Sequence, residues 1–474
     1  MKPSITWLLV AALMIPSAIV YAQSSEGSTA IIAQQKLSRE IFKELIELNT
    51  TVNIGCTKAA EAMAVRLKGA GFSEDDVRLL GPQPQHMNLV VHYRGKGALK
   101  PILFIGHLDV VEALRKDWSV DPFTFLESGG YFYGRGTTDM KNDDASLVAN
   151  LIRLKKEGFV PDRDIIVALT EDEENGDANG VQWLIANHPE LIDAEYCVNP
   201  DGGGGDSKNG KDIVMPLQTS EKVYLDYKLE VHNKGGHSAA PVKDNAIYRL
   251  AAALTHLAAY DFPINLNETT RKYFERSALQ ETGRMKADML AMARIPLDTA
   301  AANRIANASP SYNSKMRTTC VTTMLSGGHA ENALPQTAQA NVNCRMLPDD
   351  SPDNVLATLK AVVADTQVTI TCTNSSMIGP RSPLRKDIYE ALDRLTASMW
   401  PGVIVTPYMS GGASDGRMLR AAGIPVYGIS GMFTDMDDNR AHGKDERIGV
   451  KEFYKGVEFM YRFMKELTSG LSIN

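Results

Sequence analysis

Short β-branched, apolar runs alternate with stretches of helical spacing through the first 200 residues. The run 57–67 (TKAAEAMAVRL) has apolar positions at helical intervals within an opening helical region over 30–75, and Gly69-Ala70-Gly71 ends it. Residues 88–93, 102–105, 164–169 (DIIVAL) and 196–198 read as strands, 145–157 as a helix, and a further helix follows through Trp183 and Ile185. Strands that alternate with helices imply a parallel sheet with both faces covered. The four glycines Gly202 to Gly205 then read as a flexible exit.

The pattern changes near residue 218. Val223, Leu225, Tyr227, Leu229 and Val231 alternate strictly with more polar residues, the mark of a half-buried strand. A helix over 245–260, strands over 320–325 and 337–346, a helix over 353–365 and a strand over 367–372 complete the ferredoxin-like order. The stretch 261–316 has no place in that order and reads as a partly helical insertion. From residue 383 the α/β character returns, with a helix through 391–399, apolar segments at 403–405 and 424–429, and a last helix over 451–466. The expected architecture is a mostly parallel α/β domain, residues 30–217 and 379–474, interrupted by an α+β domain over 218–378.

The chain has 474 residues, 44% hydrophobic and 23% charged, which is ordinary globular composition with room for two or three domains. A net charge of -7 argues against nucleic acid as a partner. No internal run has the length of a membrane span. At the N-terminus Lys2 precedes an apolar run over 5–20, and Val20-Tyr21-Ala22 is a small-residue cleavage pattern. A secretory signal peptide over 1–22, cut after Ala22, is the expectation, with an uncleaved anchor as the weaker alternative. The mature protein would then be periplasmic or secreted. Five cysteines remain, at 56, 197, 320, 344 and 372. Their spacing matches no zinc-finger pattern. Cys320, Cys344 and Cys372 fall in one region, where a disulfide and buried free thiols are equally admissible.

The candidate chemistry sits at strand ends. Thr170-Glu171-Asp172-Glu173-Glu174-Asn175-Gly176 follows the strand 164–169, where open α/β sheets bind ligands. Four adjacent carboxylates repel one another unless a cation is near, although an isolated cluster is more often a solvated loop. His107, at another strand end, is followed two residues on by Asp109, a spacing that suits a carboxylate orienting a metal-bound imidazole. Asp139 closes the Gly134-Arg135-Gly136 turn, Asp201 follows the strand 196–198, and His442 lies in a late loop. Two histidines and three carboxylates suit a pair of zinc ions sharing one carboxylate, with a further carboxylate to move the proton.

The segments Gly106-His107-Leu108-Asp109-Val110-Val111, Gly134-Arg135-Gly136-Thr137-Thr138-Asp139-Met140-Lys141 and Asp172-Glu173-Glu174-Asn175-Gly176 resemble the signature of a known family. It is the co-catalytic zinc carboxypeptidase, aminoacylase and dipeptidase family of clan MH. Its members include bacterial glutamate carboxypeptidase, succinyl-diaminopimelate desuccinylase and carnosine dipeptidases. Gly235-Gly236-His237-Ser238-Ala239-Ala240-Pro241 resembles the start of that family's lid, or dimerisation, domain.

The resemblance implies two zinc ions, with cobalt or manganese as alternatives, and a homodimer formed through the lid. It makes Asp139 the bridging ligand, with His107 and Asp201 on one metal and Glu174 and His442 on the other. Glu173 is implied as general base, Asp109 as the group that orients His107, and His237 as the oxyanion donor from the partner subunit. Asn332, Arg345 and Arg417 match substrate-contacting positions, and Arg417 in Gly411-Gly412-Ala413-Ser414-Asp415-Gly416-Arg417 is placed to grip a carboxylate. Asp206 lies near Asp201, but Asp201 directly follows a strand and fits better. Aspartate at this position favours dipeptides or C-terminal residues of small peptides as substrates; N-acyl amino acids are the alternative.

Two other readings compete. Gly412-Ala413-Ser414-Asp415-Gly416 fits a serine-hydrolase elbow, with Asp435 and His442 following in order. The interval from Ser414 to His442 is too short for the elements that normally separate such a triad, and the acidic cluster is left unexplained. A non-catalytic metal- or peptide-binding protein would be marked by loss of the base or the bridge, and Glu173 and Asp139 are both present.

Overall fold

The computed structural model describes residues 17–374 and 377–469. Residues 1–16 of the expected signal peptide lie outside that range, and 17–22 begin the helix Ser17–Glu47. Among the described residues no helix is long and apolar enough to cross a membrane. The helix buries Ile41, Phe42, Leu45 and Ile46, and Phe42 stacks on Phe453 of the last helix, Val450–Thr468, at 4.6 Å between ring centroids.

The central sheet is mixed. Its six strands run in the order Val77–Gln83, His86–Tyr93, Arg163–Thr170, Leu99–His107, Tyr196–Val198 and Val426–Tyr427. The last four are mutually parallel, and the first two pair antiparallel, so the covered parallel sheet expected from the alternation is only part of it. A short reversal at 84–85 forces the antiparallel pair, because parallel neighbours need a long crossover. The strand Val77–Gln83 has no counterpart in the sequence reading, because Gly81 and Pro82 interrupt its pattern. It lies at the sheet edge, where a proline breaks no ladder.

Register decides the site. His107 pairs with Thr170 across the parallel strands, so the strand ending in His107 and the strand feeding the acidic cluster finish side by side. The next parallel strand, Tyr196–Val198, leads into the turn Pro200–Gly202 that carries Asp201. Three chemistry-bearing segments therefore leave one edge of one sheet.

A second, four-stranded sheet is wholly antiparallel, in the order Thr319–Gly327, Thr337–Met346, Val223–His232 and Val368–Cys372. The helices Ala246–Ala258 and Pro352–Val363 share its core, with Leu225, Tyr227, Val342, Leu250 and Leu359 buried together. Along the chain its strands and helices follow as strand, helix, strand, strand, helix and strand, and Val223–His232 buries alternate residues. Cys320 and Cys344, directly paired across neighbouring strands, form a disulfide, while Cys56, Cys197 and Cys372 are free.

A third sheet joins Ile404–Ser410, Lys211–Glu221, Gly205–Lys208 and Phe433–Asp435. It corrects the reading of Gly202 to Gly205 as a flexible exit. A Cβ at Gly203 would lie 2.2 Å from the Ser430 nitrogen, and one at Gly205 would lie 2.3 Å from the Phe433 ring. These glycines allow close packing of backbone rather than freedom. The stretch 261–316 forms helices Glu268–Ser277, Gly283–Met292, Thr299–Ala308 and Pro310–Met316 around their own apolar cluster. It docks on the third sheet, where Arg276 Nε donates to the Val405 carbonyl at 2.9 Å and Thr269 meets Thr219 at 2.6 Å.

Candidate metal centre

The acidic run divides. Asp172 has a left-handed backbone (φ 54°), a conformation aspartate tolerates better than most residues. Glu171 and Asp172 are buried against His86, whereas Glu173 and Glu174 sit with Asp109 and the other histidines. Asp109 accepts the Glu173 and Glu174 backbone N–H groups through its two carboxylate oxygens, at 3.2 and 2.9 Å. Its contact with His107 is made first by its carbonyl, 3.1 Å from Nδ1, with the nearer carboxylate oxygen at 3.6 Å. The His107 Nε2 atom is thereby aimed away from Asp109.

That Nε2 lies 3.1 Å from Asp139 Oδ1. The other oxygen of Asp139 lies 3.1 Å from His442 Nε2, which is also 2.8 Å from Glu174 Oε1. Each carboxylate oxygen of Asp139 thus faces a different imidazole. Glu446 holds the turn that presents Asp139, accepting the N–H groups of Gly136, Thr138 and Asp139 at 3.0, 2.7 and 3.2 Å. Arg135 pairs with Glu446 at 2.6 Å in the interior. Just beyond the turn, Lys141 is buried and donates to the Leu45 and Leu48 carbonyls at 2.9 and 2.8 Å.

Electrostatics follow from this crowding. Burial works to raise Asp139, but hydrogen bonds from His107 and His442 hold it well below the usual carboxylate range. Hydrogen bonds to Asp139 and Glu174 push the His442 imidazole up to about 10. Burial pulls His107 the other way, yet Asp109 and Asp139 raise it well above its ordinary value. Burial, then the charges of Asp201, Asp415 and Glu174, push the Glu173 carboxyl up to about 10 against the pull of His107. Such a site favours added positive charge. Its donors are two imidazole nitrogens and carboxylate oxygens, which fits a zinc-like divalent ion.

Other expected residues lie at varying remove. Asp201 is half-buried, lines a small cavity with Asp139, and has its carboxyl pushed up to about 8, by desolvation first. His237 and Asn332 come together on the two-stranded pairing of Gly236–His237 with Ala333–Leu334, and both are exposed. Asn332 offers its carbonyl to the Ser238 N–H, and His237 Nδ1 accepts from the Ala239 N–H. Neither joins the histidine–carboxylate cluster within the chain. Arg345 stacks over Tyr224 and donates to the Gly411 carbonyl at 3.0 Å, which ties the antiparallel sheet to the glycine loop. Arg417 is half-buried in the short helix Gly416–Ala421, and its charge acts on Asp415.

The serine-hydrolase reading fails on geometry. Ser414 is buried and donates to Glu221 Oε1 at 2.6 Å, while His442 is engaged by Asp139 and Glu174. Sequence reasoning gave no role to two residues that matter here. Glu446 carries no motif; its only signal is a buried arginine 311 positions earlier. Asp415, in the glycine loop 411–417, accepts from Asn179 at 2.7 Å and acts on both Glu173 and Asp201.

Histidines and carboxylates converging on an α/β scaffold near its parallel strand ends suit a divalent metal ion. The model of peptidase family M20/M25/M40 matches residues 103–466, and the chain belongs to that family. It is 29% identical over 385 residues to the N-fatty-acyl-amino acid synthase/hydrolase PM20D1 of Mus musculus, covering 78% of this chain and 74% of that protein. It is 25% identical over 449 residues to aminoacylase-1 of Sus scrofa, covering 90% and 95%. The fold is similar to the M20 family metallo-carboxypeptidase Sso-CP2 from Sulfolobus solfataricus, with TM-score 0.66, 17% identity and coverage of 90% and 98%. The chain is therefore a hydrolytic enzyme of a metal-dependent family.

Proposed function

We propose that the protein hydrolyses the amide bond of N-acyl amino acids, releasing an amino acid with a free carboxylate, and that it does so with two zinc ions. The observation that carries this reading is Asp139, held between two imidazole Nε2 atoms with one oxygen toward each. Similarity to an N-fatty-acyl-amino acid synthase/hydrolase and to aminoacylase-1 favours an acylated substrate. Cleavage of dipeptides or C-terminal residues is the second reading, favoured by aspartate rather than glutamate at 201.

On this account His107 and Asp201 would hold one ion and Glu174 and His442 the other, with Asp139 shared by the two; cobalt or manganese would satisfy the same donors. When bound, such ions would supply Lewis acidity and lower the pKa of a water. With the ions bound, their charge would hold Glu173 as a carboxylate, able to accept the water proton and return it to the leaving nitrogen. Its amide is fixed on Asp109, so its carboxyl is presented from a rigid loop. Arg417, with Arg345 near the same loop, binds the substrate carboxylate.

The antiparallel sheet and its two helices act as a lid that also dimerises. Its edge strand Thr319–Gly327 exposes Val321, Met324 and Leu325, at 61%, 70% and 68%, beside Ile247 and Tyr248 of the neighbouring helix. An uncovered apolar edge strand supports pairing with a second copy. His237, free of the cluster in its own chain, then serves the partner's site. The N-terminal pattern supports export to the periplasm or beyond.

The test is a matched series: N-acyl amino acids and dipeptides, each as free acid and as C-terminal amide. Cleavage of the acids alone, with N-acyl forms faster, is expected. Equal cleavage of amides would remove the carboxylate grip, and a strict need for a free amino group would make the enzyme a dipeptidase or aminopeptidase.

A further inference from the structure

The first half of the acidic run builds a separate constellation. His86 Nδ1 lies 2.7 Å from Glu171 Oε2 and 3.6 Å from Asp172 Oδ2. One ligand atom from each of the three residues lies within 4.8 Å of the others. Glu171 has 0% exposure, and neither of its carboxylate oxygens has a hydrogen-bond partner. Asp172 Oδ1 and His86 Nδ1 are likewise without one, while Asp172 Oδ2 accepts the Ala178 N–H at 3.2 Å. Among the described residues neither carboxylate pairs with a lysine or arginine; His86 is their one ionic contact. Two buried carboxylates met by a single imidazole are costly unless a further cation joins them.

The backbone fixes this arrangement. The Glu171 N–H donates to Asn88 Oδ1 at 3.2 Å, and its carbonyl accepts the Gly180 N–H at 2.9 Å. A Cβ at Gly176 would lie 2.0 Å from Asp172 Oδ2, so the loop closes over that carboxylate only with glycine there. His86 begins the strand after the 84–85 turn, and its side chain keeps 16% exposure. Its Nδ1, facing the two carboxylates, is buried.

We propose that His86, Glu171 and Asp172 bind a divalent transition-metal ion of the zinc class, at a structural site separate from the Asp139 centre. One imidazole nitrogen and two carboxylate oxygens form a borderline donor set that suits zinc better than calcium or magnesium. The ion would tie the edge hairpin to the root of the loop that carries Glu173 and Glu174.

Wild type, Glu171→Gln and His86→Ala are loaded with zinc sulfate, desalted, and their zinc per chain measured by plasma mass spectrometry. Each variant is expected to hold one zinc fewer than wild type. Glu171→Gln preserves size, so it keeps the comparison valid if His86→Ala does not fold. Equal zinc in wild type and Glu171→Gln would overturn the proposal and leave His86 and Glu171 as a buried ion pair only. Anomalous scattering at the zinc edge from zinc-loaded wild-type crystals tests it without variants. A peak beside His86 supports the site, and peaks confined to the Asp139 cluster contradict it.

Discussion

Asp109 works at residue scale through atoms the motif does not name. His-x-Asp spacing places a carboxylate near the imidazole, but the structure turns that carboxylate to the Glu173 and Glu174 amides and gives His107 the carbonyl. Asp109→Asn replaces one acceptor by a donor facing an N–H. It is expected to lower kcat/KM or metal affinity about 10- to 100-fold, as disrupted outer-sphere partners do; steady-state kinetics and a metal titration check it, and wild-type values in both would contradict it. Ser414 is a buried donor to Glu221 and no nucleophile. Ser414→Ala is expected to retain turnover and to cost about 1 kcal/mol of stability, read by urea denaturation. That His107, Asp139 and Glu174 stand together was suggested by the short motifs that carry them, whereas His442 reaches them from a late loop. Glu446 and Asp415 were not legible, because their partners Arg135 and Asn179 lie hundreds of positions away and no local pattern announces a buried acid.

At element scale the pairing of His107 with Thr170 matters most, because it brings two loops to one edge. Alternating strands and helices made that sheet legible up to its parallel part. The edge strand Val77–Gln83 and the strand Lys211–Glu221 were missed, because glycine and proline break the pattern of the first and the second shows no clear alternation. Besides the shared apolar core, an ion pair links the two halves of the α/β scaffold. Glu195 accepts from Arg163 of the central sheet at 2.6 Å and pairs with Arg385, before the helix Lys386–Met399, at 2.7 Å. Burial works to raise Glu195, but hydrogen bonds from Arg385 and Arg163 hold it below its ordinary value. A lowered carboxyl stabilises fully above its unfolded pKa, and the contribution fades as pH falls through the folded one. Glu195→Gln is therefore expected to cost up to about 1 kcal/mol at pH 7 for this half-exposed group and nothing near pH 2. Denaturation of both proteins across pH measures it; a pH-independent difference would contradict it.

At the scale of the whole molecule the proposed assembly makes the active site a shared property. If the edge strand Thr319–Gly327 meets its copy, wild type sediments as a dimer and Leu325→Glu as a monomer in analytical ultracentrifugation; a monomeric wild type would remove the interface. If His237 serves the partner, His237→Ala and Glu173→Gln are each inactive alone and regain part of the activity when their subunits are exchanged. No recovery, with exchange shown by sedimentation, would confine His237 to its own chain. The central claim is that the cluster around Asp139 is a metal centre whose proton is moved by Glu173. The most direct test measures amino-acid release from an N-acyl amino acid and a dipeptide by zinc-loaded wild type and Glu173→Gln, with bound metal quantified in both. Turnover by wild type, its loss in Glu173→Gln, and equal metal in the two are expected. Undiminished turnover by Glu173→Gln, or a silent wild type with metal bound, would contradict that claim.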